Sequence, residues 1–183
     1  MASNRWFAFC LTSVAACFFE AVAVGVTVAP SISGGLMQQP TSNYYLACYG
    51  LSLDLQASTF ITRVSYIERP EFSKNGFAEK DGLGLVMAGT SARKIFKGDL
   101  KVFFGGGAVS GYVAELDEQK KKSQQRTYQL PGPAAAVEYS ISVGNVSFAI
   151  NHTTFIGYGG KDQTAAFVAW PYNLYFLSTG YSI

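Results

Sequence analysis

Charge is what this chain has least of. Charged residues make up 14% of its 183 positions, against roughly 25% in an average soluble domain, so no full water-facing surface can be coated with them. The formal net charge of +2 is too small to argue for nucleic acid. No zinc-spaced or RNA-reading motif is present, so nucleic acid is not an expected partner. Of three cysteines, Cys10 and Cys17 fall in the N-terminal apolar run, which leaves Cys48 alone in the remainder. That excludes an internal disulfide framework. No metal and no cofactor are expected. There is a single histidine, His152.

The charges that exist are bunched. Glu68, Arg69, Glu71, Lys74, Glu79, Lys80 and Asp81 lie in IERPEFSKNGFAEKDG, and Glu115, Asp117, Glu118, Lys120, Lys121, Lys122 and Arg126 lie in ELDEQKKKSQQR. The N-terminus reads as an address. Arg5 precedes the apolar run WFAFCLTSVAACFF, too short to span a bilayer comfortably, and Glu20 closes it; this is the layout of a secretory signal. Ala21-Val22-Ala23 fits a small-x-small cleavage site, which assigns residues 1–23 to a signal peptide and 24–183 to one barrel domain. Val14-Ala15-Ala16-Cys17 offers a lipoprotein site as the competing choice, and an uncleaved membrane helix is the third.

Aromatics at 15% and 19 glycines fill the space that charge leaves, arranged with a period of two. Val22 to Ala29, Ala47 to Gln56, Phe60 to Tyr66, Leu83 to Ala88, Leu100 to Gly105, Val137 to Val143, Val146 to Asn151 and Thr164 to Ile183 all alternate, and each predicts a strand. On the fourth strand Leu83, Leu85 and Met87 are taken as the apolar, outer face. QAST, FKGD and SVGN are tight turns after strands two, four and six. Longer polar connections, SGGLMQQPTSN, IERPEFSKNGFAEKDG, ELDEQKKKSQQR and GYGGKDQT, follow strands one, three, five and seven. The prediction is an all-β, eight-stranded antiparallel up-and-down barrel with short turns at one end and long loops at the other. Pro131, Pro133 and Pro171 fall in these strands, where a missing ladder donor predicts bulges or short strands.

A soluble binder and a membrane barrel differ in which face is apolar. Here the second face is Gly, Ala, Ser and Thr with scattered Asp54, Arg63, Lys101 and Glu138. That is too little charge for a soluble exterior but suits a narrow polar lumen, in which these four form an ion-pair network rather than a catalytic site. Tyr45, Tyr49, Tyr66, Tyr139, Tyr158 and Tyr181 sit on the apolar face near strand ends, as interfacial girdles require. A soluble lipocalin-like binding barrel is the alternative; it lacks a Gly-x-Trp start, since Trp6 lies in the leader.

The leader, the eight strands, the short-turn and long-loop alternation and the ending Tyr181-Ser182-Ile183 together resemble the small outer-membrane β-barrels of Gram-negative bacteria, the OmpA transmembrane domain and OmpX type. LKVFFGGGAVSGYV followed by AAAVEYSISVGNVSFAI is similar to a glycine-rich strand and hairpin of such domains. The terminal Ile183 departs from the usual Phe. The resemblance implies an outer-membrane location, periplasmic tight turns, extracellular charged loops, and outer-membrane lipid, lipopolysaccharide and the assembly machinery as partners. It implies a porin-like envelope protein, without a diffusion pore, acting through its loops in envelope integrity, adhesion or binding of host or surface ligands.

Three local features carry further readings. Lys120, Lys121 and Lys122 could meet lipopolysaccharide phosphates or be plain solvation. Gly105-Gly106-Gly107 lacks the Gly-Lys-Ser/Thr of a phosphate cradle and reads as room for close packing. His152 and Thr154 share the outward parity of strand seven. Outer-membrane lipid A deacylases are similar in carrying a histidine base and a serine nucleophile two residues on. On that resemblance His152 would be the base, Thr154 the nucleophile and Asp162 the orienting carboxylate, with Thr in place of Ser. An interfacial histidine without catalytic duty is the preferred alternative.

Overall fold

A computed structural model describes residues 26–38, 45–74, 76–116, 122–159 and 169–183. The expected leader, Asp162, Lys120 and Lys121 lie outside the described residues. Eight strands run β1 Thr27–Gln38, β2 Tyr45–Ala57, β3 Phe60–Lys74, β4 Phe77–Ile95, β5 Gly98–Leu116, β6 Lys122–Val143, β7 Val146–Tyr158 and β8 Ala169–Tyr181. Each pairs antiparallel with the next, and β8 pairs with β1, closing the barrel. Closure is completed by reciprocal backbone hydrogen bonds between Val28 and Ile183.

The three tight turns fall where the sequence places them, at Ser58-Thr59, Phe96-Lys97 and Gly144-Asn145. Gly144 has φ +61°, the left-handed region that a two-residue hairpin turn uses. The strand limits differ from expectation. The first strand lies further along, taking in Ser33–Gln38, which the sequence suggested as loop. The charged segments after β3 and β5 are mostly strand as well: β3 runs on to Lys74, β4 starts at Phe77, and β5 reaches Leu116. Charge clustering marks exposure to water, and a hairpin standing in water shares that signal with a loop.

Side chains alternate between an exposed outer wall and a buried interior. Ile32, Leu51, Tyr49, Tyr66, Ile150 and Leu177 are exposed on the wall, as expected. The fourth strand has the opposite parity to the one expected: Leu83, Leu85 and Met87 are buried inside, and Val86 is exposed outside. Leu85 and Met87 stand opposite Gly107 and Gly105 on β5. A Cβ on Gly107 would come within 1.9 Å of the Gly84 carbonyl oxygen, so the glycines let β4 and β5 approach closely and leave the interior to the large β4 side chains. The triplet thus makes room for aliphatic packing.

Bulges occur in β3 between Arg69 and Phe72, where Pro70 lies, in β4 between Ser91 and Arg93, and in β5 between Ala114 and Leu116, none at Pro131, Pro133 or Pro171. Pro131 and Pro133 face outward within β6. Val143 and Val146 close a two-residue turn and form a hydrogen-bonded pair, so every second β6 residue back from Val143 directs its N–H toward β7. Pro133 and Pro131 are in that series and have none. The β6–β7 pairing accordingly ends at Ala134↔Phe155, while β5–β6 pairing runs past both prolines.

Candidate functional site

The interior carries two ionic clusters with an apolar core between and around them. Toward the short-turn end, Asp54 and Arg63 are cross-strand partners on β2 and β3. Lys101 and Glu138 are partners on β5 and β6. Arg63 donates Nε and Nη2 to the two Asp54 oxygens, each at 2.7 Å. Its Nη1 reaches Glu138 Oε2 across the lumen at 2.6 Å. Glu138 Oε1 accepts from Lys101 Nζ at 3.2 Å. The guanidinium lies 4.2 Å from the centre of the Phe103 ring. The four residues singled out from parity therefore meet, and each buried charge has an opposite charge at contact distance, which offsets its desolvation. A cavity of about 120 Å³ adjoins them, bordered also by Asp99, Ser142 and Ser182.

Toward the long-loop end stands a second cluster that sequence reading assigned to a loop. Arg69 donates Nε and Nη2 to Asp81 Oδ2 at 3.0 and 2.8 Å, with Glu79 at 3.6 Å. Tyr128 donates its hydroxyl to Asp81 and, at 3.3 Å, to Glu79. Asp81, Gly111 and Tyr128 are aligned across β4, β5 and β6. A Cβ on Gly111 would lie 2.8 Å from Asp81 Oδ1 and 2.9 Å from the Tyr128 hydroxyl. Glycine there is the opening through which Tyr128 reaches Asp81. Parity was a signal for Arg69, which continues Arg63, Ser65 and Ile67; Asp81 continues Leu83 and Leu85, and once those were read as the outer face, parity sent it outward.

Met37, Leu83, Leu85, Phe155, Leu174 and Phe176 belong to the apolar core that fills much of the interior. The expected uniformly polar lumen is therefore corrected to a mixed one. An eight-stranded barrel is just wide enough for its own side chains, and large apolar residues from β4 and β8 fill it where β5 contributes glycine.

On the outer wall, His152 and Thr154 point outward on β7, as parity required. The His152 ring stacks on Tyr175 at 4.7 Å between centroids and 15° between planes. Thr154 Oγ1 donates to Asn173 Oδ1 at 3.1 Å. The threonine proton is thus directed to an amide oxygen on β8 rather than to the imidazole. Among the described residues no group of His, Cys, Asp and Glu is placed to hold a metal ion.

The strands are of unequal height. β4, β5 and β6 have 19, 19 and 22 residues, against 12 in β1 and 13 in β2, β7 and β8. On the outer face of β3 and β4 the first charges above the apolar band are Glu68 and Lys80, paired at 2.5 Å. The β3–β4 and β5–β6 hairpins continue beyond them. Tyr112 on β5 donates its hydroxyl to Glu71 on β3, and Tyr128 on β6 ties to Asp81 on β4, so the two hairpins are cross-braced. Lys122 opens β6 opposite Leu116.

No family model matches the sequence, and no curated protein matches it. Solved structures do match. Neisserial surface protein A (NspA) superposes with a TM-score of 0.60 at 11% identity, covering 86% of this chain and 96% of that one. Ail, the attachment invasion locus protein of Yersinia pestis, gives 0.58 at 10%, covering 86% and 97%. The N-terminal β-barrel domain of Pseudomonas aeruginosa OprF gives 0.54 at 11%, covering 85% and 97%. The chain has the fold of the small eight-stranded outer-membrane β-barrels.

Proposed function

We propose that this chain is a non-enzymatic barrel of the Gram-negative outer membrane that works through the outer ends of β3 to β6, in adhesion, surface binding or envelope integrity. The observation that carries the reading is the cross-braced pair of tall hairpins. A barrel needing only to sit in a bilayer uses strands of about 9–11 residues, and β4, β5 and β6 are nearly twice that. The surplus stands in water, at the loop end, held stiff by Arg69, Asp81 and Tyr128 beneath it. A stiff platform loses little entropy on binding. Ail has been solved with the heparin analogue sucrose octasulfate, and Lys120, Lys121 and Lys122 at the β5–β6 connection make sulfated or phosphorylated polysaccharide, including lipopolysaccharide, the ligand class to try first.

The test is binding of bacteria or refolded barrel to immobilised heparin and to cell surfaces, for wild type and for the Lys120→Gln, Lys121→Gln, Lys122→Gln triple variant. Heat-modifiable gel mobility serves as the check that both are folded. Reduced binding by a folded variant is expected; equal binding removes the lysines from the reading. Replacing residues 117–121 with a Gly-Ser link then tests the platform as a whole.

The outward placement of His152 and Thr154 keeps a lipid A hydrolase reading in view. The stack on Tyr175 and the Thr154–Asn173 hydrogen bond weigh against it. Unchanged lipid A acylation in His152→Ala cells is expected; loss of acyl release would reinstate the hydrolase.

A further inference from the structure

The β4–β5 turn at the short-turn end holds three cations in the segment Arg93-Lys94-Ile95-Phe96-Lys97. All three are exposed, and no carboxylate among the described residues pairs with them. Between them Phe96 is 98% exposed; its φ of +54° is the value that the first position of a two-residue hairpin turn takes, as at Ser58 and Gly144. An aromatic ring held out at the tip of a turn, uncovered by the chain, points to a contact outside it.

The strand is also shaped to aim the cations. On β4 odd-numbered residues up to Ser91 face the lumen, and Ser91 borders the lumenal cavity. Arg93 would follow them inward. The bulge between Ser91 and Arg93 shifts the register by one, so that Arg93 stands opposite Leu100 and shares the outward face with it. Tyr139 then clamps the turn to the wall. Its hydroxyl donates to the Ile95 carbonyl at 3.2 Å, and its ring lies over Gly98, where a Cβ would come within 2.5 Å. Lys94, opposite Asp99, returns to the lumenal side, and Arg93, Phe96 and Lys97 leave a cationic, aromatic edge just below the apolar band.

We propose that this edge, Arg93, Phe96 and Lys97, is a binding site for anionic phospholipid headgroups of the inner leaflet of the outer membrane. Phe96 enters the interfacial layer, and the cations meet the phosphates. Outward-facing cations beside an apolar wall cannot rest in hydrocarbon and reach for the headgroup layer. Arg93 and Lys97, without a paired carboxylate among the described residues, complement an anionic surface, and an aromatic ring at that level is the usual interfacial anchor. The proposal rests on the membrane-barrel reading, with its tight turns on the periplasmic side.

The test uses the mature barrel refolded into vesicles of phosphatidylcholine containing spin-labelled phosphatidylglycerol or spin-labelled phosphatidylcholine, with heat-modifiable mobility recorded in the same samples. The wild type is expected to associate with phosphatidylglycerol preferentially. The preference should fall by about fivefold for each outward cation removed in Arg93→Gln and Lys97→Gln, and weaken with salt. A Phe96→Trp variant should show blue-shifted emission in these vesicles beyond the wild-type background. If the barrel inserts and is heat-modifiable but the double variant keeps the wild-type lipid preference, or the added indole of Phe96→Trp emits as in water, the headgroup site is wrong and the barrel reading stands. If no heat-modifiable species forms in membranes, both fall. Retained binding of the turn to an acidic periplasmic protein with no lipid preference would also overturn it.

Discussion

A single arginine decides much of the interior's stability. Arg63 contacts Asp54 and Glu138 together, and removing either carboxylate leaves a buried cation short of a partner. Glu138→Ala also strips Lys101 of its partner. It is expected to cost about 3–5 kcal/mol, read as a lower urea midpoint for the vesicle-inserted barrel. Glu138→Gln should cost less, since the amide oxygen still accepts a hydrogen bond. Gly111→Val should destabilise by about 1–3 kcal/mol, because its Cβ would come within 2.2 Å of the Lys80 carbonyl oxygen and intrude between Asp81 and Tyr128. Rescue of that variant by Tyr128→Phe would mean that the crowding acts mainly at the Tyr128 hydroxyl; failure of rescue would locate it in the backbone. These two clusters differ in how visible they were. Asp54, Arg63, Lys101 and Glu138 stand alone among small and apolar residues, so parity alone sends them inward. Arg69 follows the same parity but lies among Glu68 and Glu71, where a dense run of charge masks the alternation, and Asp81 shares the parity of Leu83 and Leu85, which was read as facing out.

At the scale of elements, the turns and the strand count were legible because glycine, asparagine and period-two alternation act locally. The faces of β4 were not. Leu83, Leu85 and Met87 oppose Gly84, Val86 and Ala88, and in a membrane barrel the larger apolar set is expected to face lipid. What inverts it is the neighbour: Gly105 and Gly107 vacate the interior beside β4, and the β4 side chains turn in to fill it. Leu85→Ala should therefore cost about 2–5 kcal/mol, as a cavity in a packed core does, whereas Val86→Ala on the wall should cost far less. Equal effects of the two in urea titrations would restore the opposite parity. Val86→Arg should be destabilising by about 2–4 kcal/mol if that position lies near the bilayer midplane. The prolines of β6 were read as interrupting their strand. They interrupt only one of its two ladders, since successive backbone groups alternate between neighbours. Amide exchange should consequently be faster in β7 from Ile156 to Tyr158 than from Phe148 to Thr154, and Pro133→Ala should slow it.

For the molecule as a whole, the apolar core across the interior predicts no steady single-channel conductance in planar bilayers. Stable openings in the wild type would mean that the core moves as a unit. One end of the barrel carries only short turns, and the tall strands, β4, β5 and β6, stand together at the long-loop end on one side. The last link to form is β1 with β8, which joins Ser31–Gln38 to Asn173–Gly180. Every other pairing is between neighbours in the chain and can zip from a hairpin, but this one must await nearly the entire chain. Until it forms, β1 and β8 each present a bare edge, and bare edges recruit strands from other molecules. Time, rather than energy, is then the scarce quantity: closure of this ring is a slow, long-range event. The interval before it is when both ends stand open to the strands of other molecules.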